Sequence, residues 1–119
     1  MIRATTLAVL LALVAGTAHA ATISTGALPG ETLSCAVSNV GTKAAQITSI
    51  KIFNTSGIEY ETQEDTCGAV LAPKATCFIT LTGETYAGHC EVEGTGKLRV
   101  SLQGFGPTGI LTGALSGSK

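Results

Sequence analysis

The chain has 119 residues, with seven Lys or Arg against eight Asp or Glu, and 45% of its residues are apolar but only 4% aromatic. That length allows one modest core and excludes a second sizeable domain. A formal net charge of −1 lacks the basic surplus that holds a polyanion, so a nucleic-acid partner is not expected.

The chain opens MIRATTLAVLLALVAGTAHA: one basic residue, Arg3, an apolar run from Leu7 to Val14, and small residues Ala18 and Ala20 around His19. This is the pattern of a secretory signal peptide over residues 1–20, cut after Ala20, and the run is too short to span a bilayer. No cysteine follows the cut, so a lipid anchor is not indicated. Residues 21–119 then form a single domain of 99 residues with six basic and eight acidic side chains, soluble and without a membrane span.

Past the leader, Thr, Ser, Val and Ile dominate and Gly punctuates, with no sustained helical stripe, which reads as all-β. In ETLSCAVSN, Leu33, Cys35 and Val37 alternate with polar or small residues, predicting a half-buried strand with its cysteine on the core face. In KAAQITSIKIFN the spacing of Ile47, Ile50 and Ile52 changes parity, predicting a bulge near Thr48 or Ser49. Asn54–Gly57 is a turn, and Ile58–Thr62 a weak, exposed return strand. ATCFITLT places Cys77, Ile79 and Leu81 on one face. CEVEGTGKLRVSLQ predicts a hairpin about Gly94–Gly96, pairing Glu93 with Lys97 and Glu91 with Arg99 outside, and Val92 with Leu98 and Cys90 with Val100 inside. The Gly-rich tail contributes one edge strand, ILTGAL. About seven short strands without a repeat indicate a two-sheet antiparallel sandwich of immunoglobulin-like type.

All four cysteines follow the leader, and an even number in a small exported chain indicates two disulfides formed in an oxidising compartment. Three pairings are open. Parity places Cys35 and Cys90 where they meet between sheets, leaving Cys67 and Cys77 as a local staple around Pro73-Lys74. Zinc wants close Cys and His pairs, whereas the one histidine after the leader is His89; no Cys-x-x-Cys redox motif is present, and one histidine is too few for a copper site. No metal or cofactor is therefore expected. Glu59, Glu61, Glu64 and Asp65 lack a calcium-loop pattern and read as a solvated edge. No hydrolase signature surrounds a serine that His89 might activate, so no catalytic residue is assigned and an enzyme is not expected. Asn54-Thr55-Ser56 has the form of a glycosylation acceptor but reads as a turn.

CAVSNVGTKAAQITSIKI followed by TCGAVLAPKATCFITL resembles the small exported bacterial immunoglobulin-like modules of the Hydin and abnormal-spindle type, over about Leu33 to Leu102. There a Cys-x-Val-x-Asn strand precedes a Cys-Gly-x-Leu-Ala-Pro-Gly-x-x-Cys turn and strand. Here Lys74 stands where that pattern has Gly, and CGAVLAP is one residue longer than its shortest form. The resemblance implies a disulfide-stapled sandwich outside the cytoplasm and carries over no catalytic residue.

The functional expectation is an exported, non-enzymatic binding or structural module, secreted or periplasmic, whose partner is a protein or a cell surface. The alternative is a secreted inhibitor or effector that inserts the stapled loop Gln63–Lys74 into another protein. The binding residues are unassigned, except that the uncharged tail strand, through Ile110, Leu111 and Leu115, is expected to mediate self-association or strand addition.

Overall fold

The computed structural model describes residues 21–118 apart from 108 and 110; the proposed leader and Ile110 lie outside the described residues. The strands are β1 (Ala21–Ser24), β2 (Leu28–Asn39), β3 (Ala45–Asn54), β4 (Glu64–Asp65), β5 (Val70–Leu71), β6 (Thr76–Thr95), β7 (Leu98–Phe105) and β8 (Leu111–Ser118). Every pairing is antiparallel, and the main path runs β5-β3-β6-β2-β7-β8, with β1 and β4 also on β6.

In β2 the alternation seen in the sequence becomes burial: Leu33, Cys35 and Val37 are all fully buried. The expected bulge in β3 is present, as the register against β6 shifts between Ile47 and Ser49. At the end of that strand Asn54 Oδ1 accepts the amides of Ser56 and Ile58, and Gly57 takes a positive φ of 81° to close the turn.

β6 is much longer than ATCFITLT. Residues 76–82 pair with β2, and then Thr32 faces Thr82 while Gly30 faces Tyr86, so residues 83–85 bulge opposite Glu31 alone. Beyond the bulge residues 86–88 still pair with Leu28, Pro29 and Gly30 of β2, and the strand then passes to β3 over residues 88–95 and to β1 over residues 91–94. The inward parity changes there too, from Cys77, Ile79 and Leu81 to Tyr86, Cys90 and Val92, all buried. Thr76 faces Ser38, and Val40 N–H donates to Lys97 O at 2.9 Å just past the other end of β6. Both ends of β6 therefore reach the same end of β2, so the strand doubles back at the bulge. The inner faces of both halves form one hydrophobic cluster that includes Leu33, Val37, Ile52, Ile79, Val92 and Leu102.

Two expectations are corrected. Residues 90–100 do not form an in-plane hairpin: Glu91 faces Lys51 and Ser24, Glu93 faces Ser49 and Thr22, and Arg99 faces Ser38 and Ser118. The Gly94–Lys97 link crosses from the ladder of β3 to that of β2 rather than turning within one, although Cys90, Val92, Leu98 and Val100 are all buried as anticipated. Ile58–Thr62 is not a strand either. It touches β3 through one bridge, Phe53 to Glu59, and the two backbone bonds of Asn54 with Ile58 and of Tyr60 with Ile52.

Candidate interaction surfaces

Both disulfides join the pairs that parity favoured, Cys35 to Cys90 and Cys67 to Cys77, with Cα separations of 6.1 and 5.0 Å. Such bonds point to an oxidising, extracellular environment. Cys67–Cys77 ties the 63–75 segment down. Asp65 Oδ1 accepts the Cys67 amide at 2.7 Å, Gln63 exchanges side-chain bonds with the Thr82 backbone, and Ile47 N–H donates to Ala69 O. The stapled loop lies along the sheet through β4 and β5, with Val70 61% exposed at its crest.

The Pro73-Lys74 turn that closes this segment is organised by a buried side chain. Asn39 is 1% exposed; its Nδ2 donates to Lys43 O and Leu71 O, and its Oδ1 accepts the Gly41 amide. Its backbone reaches the turn as well, Lys74 N–H donating to Asn39 O and Asn39 N–H to Ala75 O. Asparagine suits this position because it offers two donors and an acceptor without charge. In the turn Ala75 N–H donates to Ala72 O, and Lys74 has φ 67°, the left-handed region where a type II turn favours glycine.

The acidic residues around β4 do not converge. Glu59 lies 3.7 Å from Lys51 Nζ, Glu64 faces Thr80, and Asp65 caps Cys67. No group of three His, Cys, Asp or Glu residues is arranged to hold a metal among the described residues. His89 stacks on Phe53 with ring centroids 5.5 Å apart, and its Nε2 lies 3.4 Å from Glu91 Oε2. Ser24 Oγ donates to the other oxygen of the same carboxylate at 3.4 Å. The order is thus hydroxyl, carboxylate, imidazole, which leaves the imidazole off the hydroxyl it would have to deprotonate.

The edges differ in length and charge. β4 and β5 have two residues each and β1 has four, while β8 runs for eight, pairs among the described residues with β7 alone and carries no charged residue from Leu111 to Ser118. Its Leu111 is 50% exposed. The edge strand expected from the tail is therefore present and extends three residues beyond Leu115. No helix among the described residues is long and apolar enough to cross a membrane. No family model, no curated protein and no solved structure matches this chain.

Proposed function

We propose that this chain is an exported, non-enzymatic structural or binding module, released from its leader at Ala20 into the periplasm or medium. Its folded-over sheet is read as a two-layer sandwich of immunoglobulin-like type, in keeping with the resemblance to the Hydin and abnormal-spindle domains. The working surface is the free edge of β8, which adds a strand from a second copy of the chain. The observation that carries this reading is the contrast among edges, since the long one is uncharged and the acidic one is two residues long. An unprotected edge offers a row of backbone donors and acceptors to any strand that can align with it.

The test is Leu111→Lys, which places a charge on the edge without uncovering β7, alongside deletion of residues 107–119. Light scattering of the oxidised protein should show association weakened in both, with both disulfides formed. Unchanged association in Leu111→Lys, or loss of the fold on deletion, removes β8 from the role.

A further inference from the structure

Lys43, Lys74 and Lys97 gather at one end of this domain. Three connections meet at one end: Val40–Ala44, the Pro73-Lys74 turn and the Gly96-Lys97 turn, held together by Val40 N–H to Lys97 O, Lys74 N–H to Asn39 O, and Lys74 Nζ to Val40 O at 3.1 Å. The first and the third enclose a cleft of about 370 Å³ lined by Val40, Gly41, Thr42, Lys43, Ala44, Gly96 and Lys97, with no carboxylate in its wall. Arg99 follows Lys97 by two residues on β7, opposite Ser38 and Ser118 and outside the lining of the cleft. Among the described residues neither Lys43, Lys97 nor Arg99 has a carboxylate within ion-pair distance, whereas the remaining lysine, Lys51, is paired with Glu59. The closest acidic position along the chain, Glu93, lies on β6 opposite Thr22 and Ser49, in the wall of a different depression.

The far end has the opposite sign. From Asn39 back to Thr32, β2 climbs roughly 23 Å at the usual rise per residue. There the bulge of residues 83–85 stands out from the register with Glu84 exposed, facing Glu31 across the strands. The cleft beside it, lined by Glu31, Thr32, Thr82, Gly83, Glu84, Thr85, Gly106 and Pro107, contains no cation. The bulge has small neighbours, Gly83 and Thr85, on either side of the carboxylate, so it can enter a cleft tip first.

We infer that copies of the chain associate head to tail, the Glu84 bulge of one copy entering the cationic cleft of the next between Lys43 and Lys97. This surface is separate from the β8 edge and does not depend on it. The two patches lie at opposite ends and are not copies of one patch, so the contact is heterologous and extends into an open row. Exposed pairs of this kind are individually weak and strongly screened, so the row forms at high protein concentration and low salt.

A charge swap tests the assignment. Lys43→Glu with Lys97→Glu makes both ends acidic, and Glu31→Lys with Glu84→Lys makes both ends basic. The measurements are made in the Leu111→Lys background, which removes association through β8. In sedimentation velocity at low salt, Leu111→Lys alone should exceed the monomer value and return to it near about 1 M salt, where the Debye length is about 3 Å. In that background each charge variant alone should remain monomeric, and an equimolar mixture of the two should associate again, which a misfolded variant does not allow. In the same background, association that persists in either charge variant alone, a mixture that stays monomeric, or a Leu111→Lys protein that is monomeric at low salt overturns the inference.

Discussion

Cys35 is bonded to Cys90, yet its ladder partners are Ile79 and Leu102, while Cys90 pairs with Ile52 and accepts the Thr25 amide through its carbonyl. The disulfide therefore joins two halves of a folded sheet at a height where no backbone hydrogen bond connects those two residues. Its closed loop of 55 residues contrasts with the 10 of Cys67–Cys77. On the chain-entropy account, Cys35→Ala with Cys90→Ala should cost about 4 kcal/mol, and Cys67→Ala with Cys77→Ala about 3 kcal/mol. Urea unfolding of the two variants should give that order. The reverse order would mean that the local staple supports more of the fold than its loop length implies.

Asn39→Asp keeps the shape of the side chain but replaces two donors by a carboxylate facing the carbonyls of Lys43 and Leu71. Because the site is buried, the change should cost about 3 kcal/mol at neutral pH. The cost should shrink as the pH falls, since protonation restores one donor. Denaturant midpoints at neutral and acid pH, referred to the unaltered protein at each pH, measure it.

Lys74→Gly should stabilise the domain by about 1 kcal/mol. A left-handed φ strains a residue with a Cβ, and glycine removes that strain. The gain is reduced by loss of the Lys74 bond to Val40 O. A rise in melting temperature verifies the sign, and a fall would mean that this bond outweighs the strain.

Gly88 and Gly68 should respond differently to alanine. A methyl group at Gly88 collides with the Phe53 carbonyl on β3, and at Gly68 it meets nothing within 4 Å. Gly88→Ala should therefore cost about 2 kcal/mol or more, with Gly68→Ala within about 0.5 kcal/mol of neutral. Thermal melts of the two variants check the pair, and equal effects would contradict the close approach of β6 to β3.

What could be read from the residues alone was whatever depends on near neighbours. The burial of Leu33, Cys35 and Val37, the bulge after Ile47 and the Asn54 turn all follow from alternation or local bonding, and the disulfides followed because parity survives within each strand. The continuity of β6 was hidden because three bulged residues reset its parity, making one strand look like two. The hairpin at Gly94–Gly96 was misread because opposite charges at matching offsets suggest a ladder even where the chain crosses between ladders. The acidic and basic ends were hidden for a further reason. Lys43, Lys74 and Lys97 are far apart in sequence, and a net charge sums over positions that the fold keeps separate. Asn39 appeared only as the last residue of a strand, because its role is set by carbonyls contributed from residues 43 and 71.

The doubling back of β6 also imposes an order in time. Its first half needs β2 and its second half needs β1 and β3 as well as the start of β2, so most pairing joins residues distant in sequence, which slows folding. Cys67 and Cys77 can find each other in a short loop before any of this happens, whereas Cys35 and Cys90 meet only once the strand has turned over its bulge. An oxidising solution therefore closes the small ring early and without commitment, and the large ring records that the domain has closed.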